Sequence, residues 1–85
     1  KIDRSFIQGL VENQDDQVIV NATIRMCHDL GLKVVAEGIE TPQVLSLLKE
    51  FKCDFAQGFL LGKPVPFSSQ EVQAWLKSGE QFKDI

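Results

Sequence analysis

The candidates for chemistry in this sequence are polar residues that end or follow short, strand-like apolar runs: Lys1, Asp3, Glu37, Glu40 and Gln57. A lysine at a strand end can stabilise negative charge developing on a phosphate, and a carboxylate there can bind a divalent metal ion or accept a proton. A glutamine amide can only orient a partner. If the strands are parallel, these side chains converge on one edge of a sheet, and this convergence is the argument for function.

The carboxylates among these candidates also have purely structural interpretations. Glu37 and Glu40 precede Thr41 and could simply favour the start of a helix there. Asp3 could cap a helical turn, which the apolar residues at positions 6, 7 and 10 indicate. Both interpretations stay open at the level of sequence.

Length and charge exclude several classes of protein. The 85 residues allow at most one small domain, and 44% hydrophobic with 25% charged residues is typical of a globular chain. A net charge of −3 argues against a DNA or RNA polymer as partner, because domains that bind one usually carry a basic excess. No apolar run reaches the length of about 18 residues that a membrane span needs, so we expect no membrane contact from this segment.

Cys27, Cys53 and His28 are the remaining candidates for metal or redox chemistry. We expect both cysteines to be reduced core residues, since a fold of this cytosolic kind seldom uses disulfides. A zinc site needs more ligands at suitable spacing than one histidine offers. His28 lies near the end of a predicted helix, where a favourable charge or a surface position explains it better than metal binding does.

The longest helical pattern covers residues 15–30. Asp15 and Asp16 are typical of a helix cap and first turn, and Gly31 of the residue just past the end. The predicted buried face recurs at helical spacing and consists of Ile19, Ala22, Thr23, Met26, Cys27 and Leu30. Further apolar residues widen this surface and indicate contact with a second surface, for which another subunit is one candidate: Val18, Val20 and Ile24.

The second half of the chain predicts two buried strands, at 32–36 and 53–56, and two helices. Thr41-Pro42 begins the first helix, whose predicted buried face is Val44, Leu47, Leu48 and Phe51. Residues 59–67 are expected to form a loop because they contain Gly62, Pro64 and Pro66. A capping box of Ser68 and Glu71 begins the last helix, which is expected to bury Val72, Trp75 and Leu76 and to end near Gly79.

Strands and helices therefore alternate, starting from a strand end at residues 1–3, and this order predicts parallel strands joined by right-handed crossovers. The fold class is α/β. Ala-Glu-Gly at 36–38 recurs as Ala-Gln-Gly at 56–58, so each predicted strand delivers a hydrogen-bonding side chain at its carboxyl end. In β/α barrels this edge carries the catalytic residues, but the chain holds far fewer units than the eight of a complete barrel.

Segments 1–7 (KIDRSFI) and 35–41 (VAEGIET), followed by Gln57-Gly58-Phe59 and Lys63-Pro64, resemble the C-terminal part of the EAL-domain family. The resemblance runs through the chain to the last helix. It implies that residues 1–85 are the C-terminal fragment of a single EAL-type domain, with the last β/α units of a (β/α)8 TIM-like barrel that stays incomplete. It also implies hydrolysis of cyclic di-GMP to linear pGpG in bacterial second-messenger signalling, with Mg²⁺ or Mn²⁺ in a two-metal site of the complete domain.

The resemblance assigns roles to the strand-end residues. Lys1 matches the lysine near the metal-bound water and the scissile phosphate, and Glu37 matches the glutamate that acts as general base or metal ligand. Gln57 matches the glutamine that holds the catalytic water network. Asp3 and Glu40 match supporting residues of the site.

Two loop residues are candidates for substrate binding. Phe59 follows Gln57-Gly58 and could touch a guanine base, although packing is an equally good explanation. Lys63 could meet a phosphate, and a solvated loop lysine is the alternative.

The motif that names the family, its further metal ligands and its paired aspartates are absent from residues 1–85 and are expected N-terminal to Lys1. We therefore expect the fragment alone to be inactive, and the parent to be a cytoplasmic enzyme and a homodimer. An alternative is a catalytically degenerate EAL-like domain that acts as a cyclic di-GMP receptor or as a dimerisation or scaffold module. A small module that folds by itself is a further alternative, against which the exposed strand edges argue.

Overall fold

A computed structural model describes residues 2–58 and 61–83 of the chain, with side chains described up to Lys77 except at positions 61 and 62. The helices are α1 (Arg4–Ile7), α2 (Gln14–Asp29), α3 (Pro42–Glu50) and α4 (Gln70–Lys83), with a 3₁₀ turn at Leu10–Glu12. The strands are β1 (Val35–Ile39), β2 (Phe55–Gly58) and β3 (Leu61–Pro66). Both predicted parallel strands are present, each a few residues later in the chain than expected.

The strands form a sheet in the order β1-β2-β3, with β1 and β2 parallel. Ile2 forms a parallel bridge with Ala36, so the segment before α1 continues the sheet beyond β1. The Ile2 N–H donates to the Val35 carbonyl at 2.8 Å. The crossovers between neighbouring parallel segments run through α2 and α3, as the alternation of elements predicted.

Strand β3 corrects the expectation that residues 59–67 form a loop and that all strands are parallel. It pairs with β2 in the antiparallel direction, with Phe55 opposite Pro66. Pro64 and Pro66 favoured the loop prediction because proline cannot donate a hydrogen bond to a sheet ladder. Among the described strands β3 lies at the edge of the sheet, where Pro64 and Pro66 need not donate.

Helix α2 exposes most of the face that was predicted to be buried. Its fully buried residues are Val20 and Ile24, whereas Ile19, Met26 and Leu30 are exposed. The prediction was wrong because α2 is apolar on both faces, and periodicity alone does not say which face meets the sheet. The N-cap is Asn13, whose side chain accepts from the Asp16 N–H; Asp15 and Asp16 lie in the first turn.

Both α2 and α3 are followed by a left-handed residue, and this residue and the next one each donate a backbone hydrogen bond to the last turn. After α2, Gly31 has a φ of +77° and Leu32 N–H donates to the Cys27 carbonyl at 2.8 Å. After α3, Lys52 occupies the same position with a φ of +65°. These left-handed helix ends set the direction in which the chain returns from each helix to the sheet.

Helix α3 begins as predicted, with the Thr41 hydroxyl accepting from the Val44 N–H at 3.2 Å. Its buried residues are Val44, Leu45 and Leu48, whereas Leu47 and Phe51 are half-buried. Leu45 was missing from the predicted face, because α3 contacts α4 as well as the sheet.

Helix α4 differs from its prediction at both ends. The hydroxyl that accepts from the Val72 N–H belongs to Ser69, at 3.4 Å, so the predicted capping box of Ser68 and Glu71 is wrong. Gly79 lies inside the helix. Val72 and Trp75 are buried and Leu76 is half-buried, as expected.

The hydrophobic core lies between the helices and one face of the sheet. Ile2, Ala36, Ile39 and Ala56 are the buried sheet residues of this core, and they are 7%, 0%, 0% and 0% exposed. Since side chains alternate along a strand, Val35 and Phe55 belong to the opposite face, and both are half-buried. We call this second face the open face of the sheet.

The cysteines are free, as expected. Cys53 is buried in the core, and Cys27 is half-buried against it. Burial raises the pKa of the Cys53 thiol to about 11, so the thiol stays protonated at neutral pH.

Asp54 anchors the edge of the sheet at which the parallel strands begin. Its Oδ2 accepts from the Val34 N–H at 2.8 Å and lies 2.7 Å from His28 Nε2. Burial by itself would raise the pKa of Asp54, but the hydrogen bonds from His28 and Val34 outweigh it and lower the pKa. His28 is thus a partner of Asp54 at the end of α2, which refines the expectation of a surface or C-terminal charge.

We predict that Asp54→Asn lowers the free energy of unfolding by about 1–2 kcal/mol at pH 7. Because the folded-state pKa is lowered, the carboxylate stabilises the fold above its unfolded pKa of about 4, and this contribution is lost as the pH falls through the folded value. Denaturant unfolding of wild type and variant between pH 7 and pH 3 measures the difference.

The matched control is Asp29→Asn, which neutralises an exposed carboxylate at the same end of α2. It should cost no stability, since a negative charge at a helix C-terminus is unfavourable. An Asp54→Asn deficit that is the same at pH 3 as at pH 7 would contradict the role given to the carboxylate.

Candidate functional site

Glu37 and Gln57 occupy equivalent positions on the neighbouring parallel strands β1 and β2. Each directly follows an alanine of the pair Ala36–Ala56, whose side chains are fully buried on the helix side of the sheet. Alternation therefore places Glu37 and Gln57 on the open face, where both are half-buried. The sequence prediction that these side chains meet at one strand-end edge agrees with this register, although both residues lie inside the strands rather than after them.

The ladder between β1 and β2 is irregular at this point. Regular pairing stops at Ala36–Ala56 and resumes at Ile39–Gly58, so Glu37 and Gly38 together face Gln57 alone. Gly38 has a φ of +75°, a value that favours glycine. Because β1 has one residue more than β2 at this point, it forms a β-bulge, a feature that bends a strand and redirects its side chains.

A second irregularity faces Gln57 from the other side. Between the pairs Ala56–Val65 and Gly58–Leu61, the three positions 62–64 of β3 lie opposite Gln57 alone. Lys63 is at the centre of this bulge and is exposed. Gln57 thus lies between two interrupted ladders.

Gly58 allows the two strands to approach each other beside Gln57. A Cβ atom at position 58 would overlap the backbone carbonyl of Ile39, which cannot move aside as a flexible side chain could. The absence of a side chain at Gly58 is therefore required for the pairing that resumes after the bulge.

The Oε1 atom of Gln57 is buried and has no hydrogen-bond partner among the described residues. A buried acceptor without a donor costs about 1–3 kcal/mol, so native structures rarely leave one. The atom lies at the bulge, on the face that carries Glu37. Gln57 Oε1 is therefore a buried acceptor for which the described residues provide no donor.

Glu40 connects the end of β1 to α1. Its Oε1 accepts from Gln8 Nε2 at 3.0 Å and lies 3.7 Å from an Arg4 guanidinium nitrogen. The cap of α3 is provided by Thr41, so the interpretation of Glu40 as a capping residue is not supported by a hydrogen bond to that helix. The contact with α1 is consistent with a supporting position beside the candidate site.

Asp3 occupies the N-cap position of α1, but its side chain makes no capping hydrogen bond. It accepts instead from the Ser5 hydroxyl at 2.9 Å and is exposed. Asp3 follows Ile2, the residue that bridges to Ala36, and so lies beside the strand position of Glu37.

The remaining candidate residues are not brought together by the described part of the structure. Lys1 and Phe59 lie outside the described residues, and Lys63 is exposed on β3. Within residues 2–58 and the described side chains beyond them, no group of three or more His, Cys, Asp or Glu residues could hold a metal ion.

Sequence reasoning missed Arg4, Gln8 and Gly58 as residues that shape this edge. Gly58 carried a usable signal, since a glycine inside a strand often marks a close backbone approach. The contacts of Arg4 and Gln8 carried none, because they depend on how α1 lies over the end of β1.

A family model described as EAL domain matches residues 1–64 of the chain. The chain is 48% identical over 71 residues to the cyclic di-GMP phosphodiesterase NbdA of Pseudomonas aeruginosa, an alignment that covers 84% of this chain and 9% of that protein. It is 47% identical over 66 residues to the bifunctional diguanylate cyclase/cyclic di-GMP phosphodiesterase MucR of the same organism, covering 78% of this chain and 10% of MucR.

Solved structures that superimpose on this chain include EAL domains and a cyclic di-GMP phosphodiesterase. The cyclic di-GMP complex of the PaMucR phosphodiesterase superimposes with a TM-score of 0.68 at 46% identity, over 76% of this chain and 26% of that one. The EAL domain of Mycobacterium smegmatis DcpA superimposes with a TM-score of 0.67 at 45% identity, over 92% of this chain and 34% of that domain. The chain thus spans about a tenth of these curated relatives and between a quarter and a third of these solved chains.

We predict that Gly58→Ala destabilises the chain by about 2–3 kcal/mol, because the new methyl group displaces the Ile39 backbone and opens the β1–β2 ladder. Gly31→Ala is the comparison: it has the left-handed strain of a φ of +77° but no atom within 4 Å of the added Cβ. It should cost only about 1 kcal/mol. Thermal unfolding measures both, and an equal cost would show that the close approach at Gly58 is unimportant.

Proposed function

Because the chain belongs to the EAL domain family, we propose that it forms one wall of an active site that hydrolyses cyclic di-GMP to pGpG. The observation that carries the proposal is the placement of Glu37 and Gln57 on the same face of neighbouring parallel strands, at a bulge, with no partner for Gln57 Oε1 among the described residues. Relatives whose names state cyclic di-GMP phosphodiesterase activity align over most of the chain.

Phosphodiester hydrolysis needs a water molecule that is held in line with the leaving oxygen and gives up a proton as it attacks. In our proposal the water donates one hydrogen bond to Gln57 Oε1, the buried acceptor that lacks a described partner. Its other hydrogen points to the Glu37 carboxylate, which receives the proton as the water oxygen bonds to phosphorus. The bond from phosphorus to the leaving ribose oxygen breaks in the same step, and that oxygen takes a proton from solvent. Gln57 fixes the direction of the attacking lone pair and takes no proton itself.

The donor atoms available at this face are a carboxylate and an amide oxygen, which are the hard ligands that Mg²⁺ and Mn²⁺ prefer. As the alternative to its role as base, we propose Glu37 as the carboxylate that this chain contributes to such a site. When bound, the metal would neutralise charge on the phosphate and lower the pKa of the attacking water. Since the described residues bring no group of three acidic or metal-binding side chains together, the other ligands are expected from elsewhere in the domain.

The roles of the other candidates remain part of the proposal. Lys1 is proposed to stabilise the charge on the scissile phosphate, and the bridge between Ile2 and Ala36 supports a position of its strand next to β1. Asp3 and Glu40 are proposed to support the strand ends beside Glu37. Phe59 and Lys63 are proposed to contact the guanine base and a phosphate of the substrate.

The open face supports the proposal that this chain is one part of a barrel. Val35 and Phe55 are apolar side chains that remain only half-buried there, whereas the helix side of the same strands is fully covered. In a β/α barrel the corresponding face is filled by side chains from the other strands. We therefore propose that residues 1–85 alone are inactive and that the rest of an EAL domain completes both core and site.

Assembly and location follow the same proposal. The exposed apolar face of α2, with Val18 68% and Met26 56% exposed, is the part of the described surface that supports a homodimer of the parent. None of the described helices has the length and apolar character needed to cross a membrane. A cytoplasmic location is proposed together with the activity.

The test is formation of pGpG from cyclic di-GMP, followed by chromatography with Mg²⁺ or Mn²⁺, in a protein that carries the complete domain. Glu37→Gln should lower kcat by about 10²–10⁴-fold because it removes the base, and Gln57→Ala by about 10-fold because the water loses its orientation. The controls Glu50→Gln and Gln43→Ala change the same residue types at exposed positions of α3 and should leave the rate unaltered.

The outcomes separate the alternatives. Wild-type protein that binds cyclic di-GMP without producing pGpG would identify a degenerate domain acting as a receptor or scaffold. Unchanged turnover in Glu37→Gln would refute the role given to that carboxylate.

A further inference from the structure

Arg4, the first residue of α1, lies directly against the bulge in β1. A Cβ atom built on Gly38 would be 2.7 Å from Arg4 Cγ and 3.1 Å from Arg4 Cβ. The aliphatic stem of Arg4 therefore occupies the space beside Gly38 that a side chain would otherwise take. Gly38 is the residue with positive φ that directly follows Glu37.

The other end of Arg4 reaches past the bulge to Glu40. Its guanidinium nitrogen lies 3.7 Å from Glu40 Oε1, the oxygen that also accepts from Gln8 at 3.0 Å. Side chains at the beginning of α1 and just after its end thus contact β1 and the residue that follows it. The Gly38–Glu40 segment is held from one side by α1.

The position of α1 is itself fixed by the sheet. Ile2 donates to Val35 at 2.8 Å, and the Ile2 carbonyl accepts from the Glu37 N–H at 3.5 Å. Only Asp3 separates Ile2 from Arg4, so the stem of Arg4 has little freedom to move away from Gly38. The contact therefore connects the segment at Ile2 with the neighbouring strand that carries Glu37.

This arrangement adds little to stability. The side chains of Arg4 and Glu40 are 65% and 54% exposed, and exposed ion pairs contribute little because water and salt screen them. A glycine with positive φ next to a bulge, however, can exchange between backbone conformations unless packing selects one. The contact is thus better suited to selecting a conformation than to stabilising the fold.

We propose that Arg4 is a positioning residue for the reaction: its stem on Gly38 and its charge toward Glu40 select the bulge conformation that directs Glu37. The proposal rests on the phosphodiester hydrolysis proposed above and assigns Arg4 no contact with substrate. A displacement of about 1 Å at a reacting group can cost about 100-fold in rate, so a contact of this kind can matter for turnover without mattering for folding.

Three variants of Arg4, made in a protein that carries the complete domain, separate stem from charge. Arg4→Lys keeps both, Arg4→Met keeps the stem alone, and Arg4→Ala removes both. We expect kcat to decrease in that order, with Arg4→Lys close to wild type and Arg4→Ala lower by about 10- to 100-fold, while KM changes less than about threefold. Arg25→Ala, at an exposed position of α2, is the matched control and should behave as wild type.

Hydrogen exchange provides a readout that does not depend on activity. Peptides that cover residues 35–41 should exchange faster in Arg4→Ala than in wild type, with exchange in α2 unchanged. A rise in KM at constant kcat would instead make Arg4 a substrate-binding residue, and unchanged kcat with unchanged exchange would mean that it positions nothing; either result overturns the proposal. If the wild-type protein does not hydrolyse cyclic di-GMP, the proposed function fails, and the exchange experiment still decides whether Arg4 orders the bulge.

Discussion

The break in pairing between β1 and β2 is the constraint on which the candidate site depends. Up to Ala36 and Ala56 the two strands pair regularly and bury small side chains against the helices. One residue later Glu37 and Gly38 share a single partner, Gln57. Two glycines make this geometry possible for different reasons, Gly38 through its positive φ and Gly58 through its lack of a Cβ atom beside Ile39.

The edge at which the parallel strands begin and the edge at which they end differ in structure. At the edge where the strands begin, the Asp54 carboxylate accepts from the Val34 N–H and contacts His28. The left-handed residues Gly31 and Lys52 set how the chain returns from α2 and α3 to the sheet. At the edge where they end, the ladders are interrupted and polar side chains replace the apolar core. In β/α barrels, conserved residues at the edge where the strands begin serve stability, and the edge where they end carries the catalytic residues.

Local chemistry explains what the sequence could predict. Thr41-Pro42 and Gly31 mark helix ends through contacts within a few residues, and the alternation of elements fixes the parallel pair β1–β2. The pairing of Glu37 with Gln57 followed from the repeated Ala-Glu-Gly and Ala-Gln-Gly segments. These signals are short in range, so a single sequence carries them.

The features that escaped prediction depend on tertiary contacts. The buried side of α2 depended on where the sheet lies, because apolar residues occur on both of its faces. Strand β3 was not predicted because it contains prolines, which an edge strand tolerates. The contact of Arg4 with Gly38 depends on the orientation of the four-residue helix α1. The bulge left only one trace in the sequence, the glycine after Glu37, which could equally have marked the start of a loop.

The most direct test of this account is a crystal structure of a complete domain that contains this chain, with cyclic di-GMP bound. The account predicts that Glu37 and Gln57 Oε1 both lie within about 3 Å of one ordered water or metal-bound oxygen beside the scissile phosphate. It also predicts that Glu37 and Gly38 together face Gln57, as they do in this chain. A Gln57 oxygen paired with a protein donor away from the phosphate, or a regular ladder through Glu37, would contradict it.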